Sequence, residues 1–287
     1  SLVVLLCLLP IIGIFLPRLI SVLPPFIGLL FFAASWIKSK QRPYINKKIF
    51  LFIGAVMGLT LLSCVWSIDR EESLDRCLKM ALVIIPGGLL LNLALYSESK
   101  IREQFLKYFP LAVILALAFC VLDLYTGGLL YNLGRGIPQE SNFNFSNLNR
   151  PIVIAIFSLI PALACLYQTG RKSYTLLLGS ILILLALAML YKTDSQSAHL
   201  AFIIALLTYF LFPVNWKSAW YGLGIIIAAL IFSTPWLTQY LFHALPAIID
   251  QISWFQQSYA VYRLEIWDFV SRYALESPFW GHGIEAT

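Results

Sequence analysis

Side chains able to do chemistry are few in this 287-residue chain, and they gather at the mouths of apolar runs and in its last fifty residues. Arg263-Leu264-Glu265-Ile266-Trp267 leads to Ser277-Pro278-Phe279-Trp280-Gly281-His282-Gly283, a long polar and aromatic stretch with room for a site. Upstream, Asn149-Arg150-Pro151 opens one apolar run, and Lys192-Thr193-Asp194-Ser195-Gln196-Ser197-Ala198-His199 opens another. Arginine supplies a permanently charged, forked donor, while Gln and His supply uncharged hydrogen-bonding groups. Each has a plainer reading beside the functional one. Arg263 pairs with Glu265 or Asp268 on a solvated helix face; Arg150 snorkels to headgroups; His199, one turn into its helix, is a hydrogen-bonded packing residue. His282, between two glycines, shapes a turn and is not expected to be a base.

Other chemistries lack their signatures. The three histidines, His199, His243 and His282, are far apart and form no HExxH, and there is no phosphate loop, GxSxG or nucleotide fingerprint. No metal site and no cofactor are indicated. Cys7, Cys64, Cys77, Cys120 and Cys165 lie in or at the ends of apolar runs without CxxC spacing, as packing residues do. Cys64 and Cys77 flank one polar loop, but a bridge between them is not expected.

The elements that position these residues are membrane helices. Sixty per cent of the residues are hydrophobic and 12% charged, with mean hydropathy +0.83. At about 20 residues per crossing, nine candidate helices fall at 2–17, 19–37, 49–66, 77–96, 109–126, 151–167, 174–191, 198–212 and 219–237. Pro10, Pro17, Pro24 and Pro25 break or kink the first two. The expected architecture is an all-α, polytopic transmembrane bundle over 1–237, followed at 238–287 by the start of a large helical loop. The first residue is Ser and no closing element precedes Thr287, so the chain is expected to be a fragment whose leading helix is retained.

Loop charge sets the orientation. Lys38, Lys40, Arg42, Lys47 and Lys48 fall in a stretch without acids, whereas 67–76 carries Asp69, Glu71, Glu72 and Asp75. The positive-inside rule makes the first loop cytoplasmic and places 67–76, 127–150, 192–197 and 238–287 outside. The formal net charge of +6 follows from this topology and from anionic headgroups, with no nucleic-acid footprint. Within the outer segments, 239–259 reads as a helix on the membrane surface and 262–275 as a second helix in which Asp268 and Arg272 pair on the exposed face. Asp123 and Lys79, near the outer ends of their helices, are expected to pair with one another. Trp and Tyr residues at helix ends form an interfacial belt.

Asn149-Arg150 at a helix mouth, the motif from Thr193 to Ala198, and Arg263-X-X-Ile266-Trp267 leading to the Ser277 to Gly283 stretch resemble, in order and spacing, the O-antigen ligase and O-antigen polymerase superfamily. The resemblance implies about a dozen helices in the whole fold and a metal-independent glycosyltransferase in the bacterial inner membrane, multi-pass, with a periplasmic active face. It implies transfer of a glycan from an undecaprenyl diphosphate carrier to a sugar hydroxyl, on lipid A core for a ligase. Arg263 is then the first choice for chelating the diphosphate, because one ammonium cannot match its two-pronged geometry. Arg150, Gln196, His199 and Lys192 complete the expected substrate-binding set. Many members of the superfamily have Arg where this chain has Gln196, so Lys192 replaces that charge or Gln196 binds glycan hydroxyls. The family's base, a histidine late in the large periplasmic loop, is expected beyond Thr287. Ligase, polymerase and lipid-linked-glycan flippase all remain open. A flippase should gather polar residues at the bilayer midplane, whereas here they lie on the outer side.

Overall fold

The computed structural model describes residues 2–39, 45–136, 143–193, 195–213, 215–244, 260–278 and 281–282. It is all-helical, with eleven α-helices and no strand among the described residues. In chain order these are α1 (Leu2–Phe15), α2 (Leu23–Ser39), α3 (Lys47–Ser63), α4 (Arg70–Leu95), α5 (Ser99–Tyr125), α6 (Leu129–Arg135), α7 (Asn149–Gln168), α8 (Lys172–Lys192), α9 (Gln196–Leu211), α10 (Lys217–Ala244) and α11 (Ala260–Glu276). Two 3₁₀ turns, Pro17–Ser21 and Phe145–Leu148, join α1 to α2 and lead into α7.

All nine predicted apolar runs fall on helices, but only five of those helices, α4, α5, α7, α8 and α10, have both the length and the apolarity to cross a membrane. The other four are short: 14 residues in α1, 17 in α2 and α3, and 16 in α9. These four are apolar but shorter than a typical span of about 20 residues, whose range begins near 17.

Helix starts lie earlier than the apolar runs suggested. Asp69 caps α4 by accepting the Glu72 backbone N–H at 3.0 Å, and Glu71 and Glu72 sit in its first turn. This arrangement satisfies an orphan donor and complements the helix dipole, so most of the predicted 67–76 loop is helix. Pro10 is accommodated inside α1, and Pro24 and Pro25 lie in the first turn of α2, where a missing N–H costs little.

The chain divides into two compact units, Ser1–Ile53 with Leu82–Leu211, and Gly54–Ala81 with Phe212–Thr287. In the first, α5 and α7 are the central helices, packed on each other and flanked by α1, α8 and α9. The inward stripe of α7 runs through Ile152, Ala155, Ile156, Leu159, Ala162 and Leu166, the spacing of one helix face. Ala116, Ala155, Ala162 and Ala186, all fully buried, let the helices approach closely, as membrane bundles require.

In the second unit α11 packs on α10. The predicted helix over 262–275 is α11, and its Asp268–Arg272 pair forms, with Arg272 Nε donating to Asp268 Oδ2 at 2.8 Å. The face is not the exposed one, however: Asp268 shares with Leu264 and Ser271 the buried stripe of α11, while Arg272 reaches solvent. Hydrogen bonding to Asp268 pushes the Arg272 guanidinium above its ordinary value. The start of the predicted 239–259 surface helix is instead the last turns of α10; positions 245–259 lie outside the described residues. All five cysteines are buried free thiols.

Candidate anion-binding site

Asp123 and Lys79 do not pair with one another. Lys79 bonds to Asp75, four residues before it on α4. Asp123, 2% exposed at the end of α5, accepts the backbone N–H of Leu130 at 2.7 Å and that of Tyr131 at 3.1 Å. These are orphan donors in the first turn of α6, whose own N-cap, Gly128, has no side chain to offer. Gly127 and Gly128 turn the chain with φ of +66° and +79°, a region costly for L side chains. The buried carboxyl and the glycine turn together hold α6, and with it Tyr131, against the bundle.

Tyr131 forms one wall of a cleft of about 760 Å³ in the first unit. The other walls are the end of α1 at Phe15, the turn carrying Pro17, Arg18 and Leu19, and the approach to α7 at Asn147 and Arg150. Both guanidiniums are exposed, and neither has an acidic partner among the described residues. Arg18 was not anticipated from the motifs, although a signal existed: it is the sole charged residue among the first 37.

Lys192 belongs to the same end of this unit. The last residue of α8, it holds its ammonium 6.0 Å from the centre of the Phe145 ring in the 3₁₀ turn before α7. Phe145 meets Phe143 edge-on at 5.6 Å, and Phe143 meets Tyr131 at 5.5 Å, so an aromatic row links Lys192 to the cleft wall. The start of α9 follows at once. Thr193 and Ser195 are buried, Ser195 N–H donates to Thr193 Oγ1 at 3.2 Å, and Gln196, half-buried, is the first residue of the helix. His199 Nδ1 donates to the Ser195 carbonyl at 2.9 Å. This bond is the packing role expected of His199, and in the neutral ring it leaves Nε2 as an acceptor.

Arg263 lies in the other unit. It is exposed on α11 beside the exposed Ile266 and Trp267, and makes no ion pair among the described residues. Of the two acids that would make it a plain helix-face residue, Asp268 is taken by Arg272, while Glu265 is exposed beside it on α11 without an ion pair to it. His282 behaves as a turn residue: Nε2 donates to the Tyr273 carbonyl at 2.9 Å, and its ring stacks on Tyr273 at 3.9 Å. Asp194, Phe279, Trp280 and Gly283 lie outside the described residues.

Residues 181–287 match the family model described as O-antigen ligase. The matched stretch begins in α8 and carries Lys192, Gln196, His199 and Arg263; Arg18 and Arg150 precede it. No curated protein and no solved structure matches the chain.

Proposed function

We propose that this O-antigen ligase-like multi-pass membrane protein is a glycosyltransferase that moves a glycan from an undecaprenyl diphosphate carrier to a sugar hydroxyl on the lipid A core. The observation that carries the reading is the match over 181–287, and the cationic cleft agrees with it: the reaction's leaving group is a diphosphate, and Arg18 and Arg150 offer it two forks of donors. The acceptor oxygen attacks the anomeric carbon of the carrier-linked sugar, the bond from that carbon to the phosphate oxygen breaks, and the diphosphate leaves on the carrier with the electron pair. Guanidiniums fixed at the leaving oxygens stabilise charge as it develops, without needing a metal to do so. Lys192 adds positive charge at that end of the first unit, and Gln196 and His199 Nε2 offer hydrogen bonds to sugar hydroxyls; Arg263 on α11 is proposed separately, from the family resemblance, as a contact for the donor diphosphate. The hydroxyl proton passes to a general base.

The charge pattern of the loops supports a periplasmic working face on the bacterial inner membrane. Deleting the gene and running lipopolysaccharide on a gel tests the reading. Loss of capped core with carrier-linked polymer retained is the ligase result. Caps one repeat long would make the chain a polymerase, and an unchanged ladder would reject both.

A further inference from the structure

We propose that Cys64 and Cys77 form a disulfide on the outer side of the membrane, which ties the end of α3 to the first turns of α4. The compartment rests on the orientation that loop charge gives the chain. The pairing does not depend on the glycan chemistry proposed above.

Nothing in the cysteine spacing asks for this bridge; the pairing is a property of the fold. Past α3 the chain turns back toward α4, and a seam of small polar side chains closes the turn. Thr60, Cys64 and Ser67 lie on one side of it, Ser73 and Cys77 on the other, and all five are buried. Ser67 Oγ and Ser73 Oγ share a hydrogen bond of 2.5 Å. Ser73 and Cys77 stand one helical turn apart on the same face of α4, so the contact at Ser73 carries Cys77 to the seam. There the Cys77 thiol hydrogen-bonds to the Cys64 thiol, and Cys64 Sγ donates to the Thr60 carbonyl at 3.4 Å. Thiols placed in this way need side-chain rotation and a small shift to reach an S–S bond of about 2 Å.

The surroundings favour a bridge over a packed pair of thiols. Cys7, Cys120 and Cys165 belong to the apolar core of the first unit, where a thiol packs as a small hydrophobe. Cys64 and Cys77 have hydroxyl side chains for neighbours instead. The exposed pair Asp75 and Lys79 flanks Cys77 along α4, which sets this turn at the aqueous end of the helix, within reach of a soluble oxidant. Outside the cytoplasm such a pair is oxidised; inside, it is kept reduced.

The oxidant is the disulfide of a periplasmic thiol–disulfide oxidoreductase, which acts before the turn packs and buries both sulfurs. One cysteine thiolate attacks a sulfur of that disulfide and releases the other as a thiolate; the second cysteine thiolate then attacks the mixed disulfide at the chain's own sulfur. The Cys64–Cys77 bond forms, and the oxidant leaves as a dithiol with the two electrons and two protons. The clasp also reaches the polar stretch after α11. Ile68, within the turn, donates its N–H to the His282 carbonyl at 3.4 Å, so the turn that the bridge closes holds the segment carrying His282.

The full chain made in a Gram-negative host tests this when it is quenched in acid, blocked with N-ethylmaleimide in denaturant, reduced, and labelled with a mass-tagging maleimide. Two tags should appear only after reduction, and peptide mapping should place them on Cys64 and Cys77. Cys64→Ser and Cys77→Ser should each lose both tags, because the remaining thiol is blocked in the first step. The readout is taken on denatured chain, so a variant that folds poorly still reports. A host without its periplasmic dithiol oxidase should give untagged chain. In detergent, reductant should lower the Tm of the wild type and leave that of the double variant Cys64→Ser, Cys77→Ser unchanged. Wild-type chain from an oxidising host with both thiols blocked at the first step would overturn the proposal, even where diamide later joins them, and so would tags on any other pair.

Discussion

Asp123 Oδ1 accepts the backbone N–H of Leu130 at 2.7 Å, so the acid that ends α5 caps the next helix from seven residues away. A buried carboxyl at membrane depth is costly unless hydrogen-bonded. Here the bonds it makes fix α6 and bring Tyr131 to the cleft, so Asp123 is a positioning residue.

Asp123→Ala should therefore cost about 1 kcal/mol or more, as loss of a cap does, and Asp123→Asn less, since its amide oxygen still accepts. The glycines beside it should differ. Gly127 and Gly128 both have positive φ, but a Cβ at Gly127 meets open space, whereas at Gly128 it meets the Phe143 ring. Gly127→Ala should cost roughly 1 kcal/mol from backbone strain alone, and Gly128→Ala clearly more. Thermal unfolding in detergent measures all four; equal midpoints for the two glycine variants would remove Phe143 from the account.

The Asp268–Arg272 pair is asymmetric, with the acid buried and the base in solvent. Removing Arg272 strands a charge, whereas removing both charges strands none. Arg272→Ala should thus be less stable than the double variant Asp268→Asn, Arg272→Ala, although the double variant carries one more change. A double variant no more stable than Arg272→Ala would show that solvent alone satisfies Asp268.

Periodicity and composition revealed the helices but not their polar first turns. Arg70 to Glu72 and the charged residues after Ser99 are helical because caps, dipole and continuity favour it, and an apolar-run count does not see polar helix. The candidate cleft was half legible. Arg150 announced itself by standing at a helix mouth, but Arg18 sits in a proline turn whose proximity to α7 is a tertiary fact. The expected Asp123–Lys79 pair failed because each residue found a partner within ten positions of itself, a local solution that reasoning from membrane depth overlooked.

Orientation can be tested without reference to activity. If 38–48 is cytoplasmic and the loop from 238 onward periplasmic, a cysteine at Ser258 should react with a membrane-impermeant maleimide in intact spheroplasts, and one at Ser39 should react only after lysis. The five native thiols are buried, so background should be low. The opposite pattern would invert the topology and put the cationic cleft on the cytoplasmic face.

Arg263 tests what the family match means for chemistry. On α11 it stands exposed beside Trp267 and Glu265, and Asp268 is held by Arg272. If its guanidinium contacts the donor diphosphate, Arg263→Ala should abolish glycan transfer at wild-type expression and folding. Arg263→Lys should recover little, because one ammonium cannot reproduce a two-pronged contact. A solvated helix-face residue behaves otherwise: the lysine variant would match wild type, and the alanine variant would lose at most the worth of an exposed ion pair, about 0 to 1 kcal/mol of stability. Near-normal transfer by Arg263→Ala would move the anion-binding role entirely to the cleft of Arg18 and Arg150, which then becomes the place to look for the leaving group.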